Sequence, residues 1–369
     1  MILRADDFPP VMSAPPTRRL GMARSEHPGP TLLIIAGIHG NEPAGVAAVR
    51  CFLDTFSEQE SDFIGEIVAL CGNIGASLAG RRYLDHDLNR RWSCERVMGL
   101  ALAGPSDRDR EDDEQLALSR EIDDAMARAR GPVYFLDLHT TSAAGYPFSM
   151  IADHPEQREF ALQFELPILL GLLEQVDGVL LEYLRRRGCI CLGIEAGQHE
   201  RSQSIEHHLA ALRIAVVAAG LLPADSTPEL LKTSLETLNR ARGELPRLMR
   251  VENRHGIRPD DQFRMEPGFA NIEMIEKGQL LARDRKGEIR ARETGILFMP
   301  LYQGLGDDGF FGGLLVELLG AVGAPIGDGE VGRNPALARD HPAWMASLGS
   351  HDDWCKNSYQ YASHGSHHI

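Results

Sequence analysis

Leu32–Ala36 is an unbroken apolar run ending at Gly37, the texture of a strand buried on both faces. Gly65–Cys71, Val133–Leu138 and Cys189–Ile194 share that texture. Between these runs apolar positions recur at helical spacing: over Ala44–Phe56 behind Pro43, over Glu114–Arg130 up to Gly131-Pro132, and over Ile205–Leu222. Residues 156–187 read as mostly helical with a break at Pro167, 79–94 as loop, and 104–113 as an exposed loop or helix lead-in. Strands alternating with helices predict an α/β fold, a mixed, mostly parallel sheet flanked by helices over residues 31–245. Residues 1–30 are Pro-rich and read as an extended lead-in, and 223–250 as a charged connector. From about 250 to 322 short strand-like runs alternate with Gly turns, predicting a smaller C-terminal β-rich domain. Residues 326–369 are Gly, Pro, Asp and His rich and read as a loosely ordered tail.

Composition narrows the class. With 369 residues, 43% hydrophobic and 25% charged, the chain can build one large core and a smaller module. A net charge of −15 argues against nucleic acid or an anionic membrane as partner. No apolar run reaches the about 18 residues of a membrane span. Six Cys without a CxxC pair are no disulfide framework and fit a reducing cytoplasm, and the N-terminus carries no secretory h-region. Oligomeric state stays open, a homo-oligomer included.

The strand ends carry the candidate chemistry, because such sheets bind ligands beyond the carboxyl ends of their strands. His39 and Glu42 follow the first run, and His139 closes the run at Asp137-Leu138-His139. Two His and one Glu are a ligand set for catalytic zinc, leaving a fourth position for water. One Zn2+ per chain is expected, against histidines that merely satisfy loop backbone. Asp137 is read as facing the opposite side of the strand from His139, either a structural hydrogen-bonder or a group behind a ligand. Glu195 in GIEAG, at another strand end between small residues, is the candidate base, against a plain charged strand terminus. Arg81, Arg82, Arg90 and Arg91 crowd RRYLDHDLNRRW and suggest an anionic substrate, with salt bridging to Asp85, Asp87 and Glu95 as the alternative.

In this order GIHGNEPAG, RYLDHDLNR, DLHTT and GIEAG resemble the succinylglutamate desuccinylase/aspartoacylase family, over roughly residues 30–320. GILFMPLYQG resembles the closing stretch of its β-rich C-terminal module. The resemblance implies a zinc carboxypeptidase-like fold and hydrolysis of a small anionic N-acyl amino acid. By motif, His39, Glu42 and His139 would hold zinc, Glu195 would activate water, and Arg82 would polarise the scissile carbonyl. Asn89 and Arg90 would clamp the substrate carboxylate, with Asp87 supporting their loop. The family's acyl-gripping Tyr and Arg have no motif here; Tyr146, Arg158, Tyr183 and Arg185–Arg187 are candidates, and Tyr302 is a candidate to cover the site. Alternative readings are a carboxypeptidase-like peptidase, a deacetylase or esterase acting on another small acyl substrate, and a catalytically silent metal- or ligand-binding member of the fold.

Overall fold

The computed structural model describes residues 15–56 and 62–316. Four parallel strands form its centre: β2 (Thr31–Ala36), β3 (Glu66–Cys71), β4 (Val133–Thr141) and β7 (Ile190–Gln198), side by side in the order β3-β2-β4-β7. Every residue of β2, β3 and β4 is buried, so these segments read as continuous apolar runs rather than alternating ones. Helices α1 (Pro43–Phe56) and α7 (Ser202–Ala218) cover one face, packing Phe52 and Leu209 on Ile34, Leu136 and Ile194. Helices α4 (Arg110–Arg128) and α6 (Leu180–Arg186) cover the other, over Leu33, Ile35 and Phe135.

Several elements depart from the sequence reading. The lead-in contains β1 (Arg19–Arg24), antiparallel to β3 at the sheet edge, where one neighbour and half-exposed positions leave no apolar run. Within and before the segment read as helical lie the three-residue strands β5 (Phe148–Met150) and β6 (Ile168–Leu170), too short to carry a period of their own. Helix α5 (Pro155–Ala161) and α6 are short, and residues 171–179 between β6 and α6 are irregular. The connector holds α8 (Pro228–Arg242), which starts behind Thr227 and docks Leu231, Leu235 and Leu238 on the α7 side of the core.

The C-terminal segment is β-rich. Strands β8 (Leu248–Gly256), β10 (Glu273–Ile275), β13 (Gly295–Phe298) and β14 (Asp308–Leu315) extend the central sheet through β5 and β6, to eleven strands among the described residues. Strands β9 (Arg264–Met265), β11 (Leu280–Asp284) and β12 (Gly287–Arg290) form a separate three-stranded sheet over a small core including Leu281 and Phe310. The 326–369 segment lies outside the described residues.

Candidate metal centre and active site

His39 and Glu42 occupy the turn between β2 and α1. That turn is pressed onto helix α2 (Ile74–Ala79): a Cβ on Gly40 would lie 2.0 Å from the Ala76 carbonyl carbon, so only glycine fits. His139 arrives from β4, and its Nδ1 lies 3.2 Å from Glu42 Oε2. His39 Nδ1 lies 2.8 Å from Glu42 Oε1, and the Thr140 backbone N–H donates to Glu42 Oε2 at 2.9 Å. All three side chains are buried, with ligand atoms within 4.8 Å of one another.

The outer nitrogens decide what this cluster wants. His39 Nε2 faces Asp87 Oδ1 at 3.2 Å, and His139 Nε2 faces Asp137 Oδ2 at 3.1 Å. Asp137 and His139, two positions apart, share one side of the strand, which corrects the opposite-face placement drawn from sequence. Each ring therefore meets a carboxylate at both nitrogens, and a neutral imidazole carries one proton for the two. With Nε2–H given to Asp87 and Asp137, both Nδ1 lone pairs and Glu42 converge on one point. Burial disfavours a charged His139 ring, yet Asp137 and Glu42 outweigh it and hold the proton well above the ordinary imidazole range. For Glu42 burial likewise opposes ionisation, and the two histidines outweigh it. Two imidazole nitrogens and a carboxylate with hydrogen-bonded outer faces fit a divalent metal of the zinc type.

Glu195 lies opposite His139 in the β4–β7 register and lines the same cavity. Its Oε2 is buried without a hydrogen bond among the described residues, and burial, aided by Glu42, pushes its pKa up to about 8. Arg82 donates to Asp87 Oδ2 at 3.0 and 2.9 Å and stands 3.7 Å from Glu42 Oε1. Asn89 accepts from the Leu180 N–H at 2.9 Å, and its amide lies 3.4 Å from His139 Nε2. Arg90 pairs with Asp308 at 2.6 Å, while its buried Nε has no partner among the described residues.

The loop carrying Arg82, Asp87, Asn89 and Arg90 is held from below by Glu111. This fully buried carboxylate accepts the backbone N–H groups of Leu84, Asp85 and His86 at 2.7, 2.8 and 3.2 Å. Glu111 belongs to a stretch read as exposed lead-in, but it is the second residue of α4, behind the Asp109 cap, and turns inward. Asp85, Asp109 and Glu111 also approach one another, and each is engaged: with Arg110, with Arg91 and with the loop backbone respectively.

Residues 28–218 match the profile of the succinylglutamate desuccinylase/aspartoacylase catalytic domain. The chain belongs to this family. The succinylglutamate desuccinylase of Burkholderia pseudomallei (strain K96243) is 25% identical over 260 residues, covering 69% of this chain and 70% of that protein. The Burkholderia orbicola (strain MC0-3) enzyme of the same name is 30% identical over 114 residues, 31% of this chain and only 32% of its own length. A succinylglutamate desuccinylase/aspartoacylase structure from Rhodobacter sphaeroides superposes with a TM-score of 0.58 at 17% identity, over 81% of this chain and 88% of that one. The product-bound ectoine utilization protein EutE (DoeB) of Ruegeria pomeroyi gives 0.54 at 20% identity, over 80% and 88%. At these identities the structural likeness establishes the shared fold.

Within this family frame, part of the site was not foreseen. His199, four residues beyond Glu195, bonds Thr140 Oγ1 at 2.7 Å and Gln303 at 3.2 Å, and Asn41 also donates to Gln303 at 2.6 Å. His199, Gln303, Asp307 and Asp308 all line the cavity. Its closing stretch contributes Met299, Leu301 and Gln303, while Tyr302 turns away to bond Glu266 and Phe269. The candidates for gripping the acyl group do not line the cavity either. Arg158 pairs with Asp153, Arg185 and Arg186 with Glu182, and Arg187 with Asp123. Tyr183 packs against Trp92, and Tyr146 is largely exposed. Of the four arginines around Asn89, Arg82, Arg90 and Arg91 are ion-paired within the protein.

Proposed function

We propose that this protein is a zinc-dependent hydrolase that cleaves the amide bond of a small N-acyl amino acid. The observation that carries the reading is the convergence of His39 Nδ1, Glu42 and His139 Nδ1 beside a buried Glu195 carboxylate oxygen that has no hydrogen bond among the described residues. His39, Glu42 and His139 would hold the metal, with Asp87 and Asp137 fixing the orientation of the two rings. When bound, zinc supplies a Lewis acid for the carbonyl oxygen and lowers the pKa of water.

The rest of the chemistry falls to the protein. Asn89 and the spare Nε of Arg90 receive the substrate's α-carboxylate. Arg82 stays charged because Asp87 and Glu42 outweigh the burial that opposes it, and its guanidinium stabilises negative charge growing on the carbonyl oxygen. Glu195 takes a proton from the attacking water and hands it to the departing amine. The products are a carboxylic acid and a free amino acid. The stretch bearing Met299, Leu301 and Gln303 borders the cavity and favours a small acyl substrate over a peptide.

Among the described residues no helix is long and apolar enough to cross a membrane, and Cys51, Cys71, Cys94, Cys189 and Cys191 are free thiols, in keeping with a cytoplasmic enzyme. The test is amine release from a panel of N-acyl amino acids. Turnover that a chelator abolishes and zinc restores is expected; turnover indifferent to chelation would contradict the reading.

A further inference from the structure

The segment between His139 and Glu195 supplies the cavity with hydrocarbon. Met150 ends β5, Leu172, Leu173, Val176 and Val179 belong to the irregular stretch before α6, and Leu181 lies in the first turn of α6. This wall is locked to the Asn89–Arg90 segment. The Leu180 N–H donates to Asn89 Oδ1 at 2.9 Å, and the Trp92 N–H to the Gly178 carbonyl at 2.9 Å. Gly178 (φ 70°) backs onto Arg90 so closely that a Cβ there would lie 2.3 Å from the Arg90 carbonyl oxygen. A ligand whose α-carboxylate sits on Asn89 and Arg90 has its α-carbon one bond away. Its amino-acid side chain is then the group that meets this wall.

The polar groups of the lining also tell against a second carboxylate. Among the described residues lining the cavity, the Arg and Lys side chains are Arg82, paired with Asp87, and Arg90, which shares Asp308 with Arg254 outside the lining. Asp307 adds a further carboxylate that has no ion pair among the described residues. A carboxylate on the amino-acid side chain would lose its water to an apolar surface, and the two arginines of the lining are already assigned to the α-carboxylate and the carbonyl oxygen.

We infer that the amino-acid half of the substrate carries an apolar side chain, as in N-acyl leucine, methionine or phenylalanine, rather than the acidic side chain of glutamate or aspartate. The inference rests on the deacylase reading for which end of the ligand lies where. Binding of N-acetyl-L-leucine and N-acetyl-L-glutamate to the zinc-loaded Glu195→Gln full chain, read by calorimetry, tests it together with kcat/KM of the unmodified chain on both compounds and on N-succinyl-L-glutamate. A preference for the leucine compound of at least about tenfold is expected in binding and in kcat/KM, in line with what a few buried methylenes give. Leu173→Arg, at a half-buried position of the wall, should move that ratio toward the glutamate compound by a similar factor. Tighter binding or faster turnover of either acidic compound would overturn the inference and leave the deacylase reading standing. Preferential leucine-compound binding without any turnover would support the pocket and overturn the deacylase reading. Binding of neither compound would overturn the inference.

Discussion

His139 and Glu195 are register partners on neighbouring parallel strands, so imidazole and carboxylate stand side by side on one face of the sheet. The two differ in how their polar atoms are used. His139 has a carboxylate at each ring nitrogen, whereas Glu195 Oε2 is buried without a hydrogen bond among the described residues. The proposed metal ligand and the proposed proton carrier are thus delivered to one place by strand register. Glu195→Gln preserves shape and removes the proton acceptor. It is expected to keep the metal and lose about 10²- to 10⁴-fold in kcat, measured by amine release beside metal analysis. Near-normal turnover would remove Glu195 from the mechanism.

Asp87 joins the proposed metal site to the arginine loop, since one oxygen faces His39 Nε2 and the other receives Arg82. An amide can serve one of these donors and must oppose the other with its own N–H. Asp87→Asn should weaken zinc binding by about 10- to 100-fold in competition with a chelator. Unchanged affinity would show that the orientation of His39 is set by other groups.

Glu111 is far from the reacting centre in sequence and holds the loop through three backbone N–H groups. Glu111→Gln replaces one accepting oxygen with a donor pointed at other donors. A stability loss on the order of 1–3 kcal/mol is expected, read by denaturant unfolding, together with a raised KM as Asn89 and Arg90 lose their support. A loss of stability with KM unchanged would mean that the loop keeps its shape without this anchor.

His208 in α7 is fully buried, and burial pushes its pKa down to about 3. The unfolded chain takes up that proton near the ordinary value of about 6.5. Between these two values the unfolded state binds more protons than the folded one. His208 therefore leaves stability intact above about 6.5 and lowers it progressively as pH falls toward 3. His208→Leu should flatten this dependence, so that the Tm of the natural chain drops relative to the variant between pH 7 and pH 4. Parallel Tm profiles would contradict the assignment.

The central sheet was legible in sequence because strands buried on both faces need continuous apolar runs, and β2, β3, β4 and β7 have them. The strand ends then pointed to His39, Glu42, His139 and Glu195, which the fold brings to one cavity. What escaped was whatever depended on distant partners. Strand β1 is an edge strand with mixed polarity, β5 and β6 are three residues long, and α8 lies in a segment whose Pro and charge suggested a connector. Glu111 looks like any acidic residue in a polar stretch until the loop above it folds down. Asp137 was misplaced by an error of period, since residues two apart share a strand face. His199 and Gln303 meet across 104 positions, a contact that no local pattern encodes.

The most direct test is a zinc titration of the chelated full chain, following amine release from an N-acyl amino acid. Activity should rise in proportion to added zinc, break at about one equivalent per chain for the site of His39, Glu42 and His139, and be absent in Glu42→Gln at the same zinc concentration. Full activity before zinc is added, or an unaltered titration in Glu42→Gln, would contradict the account.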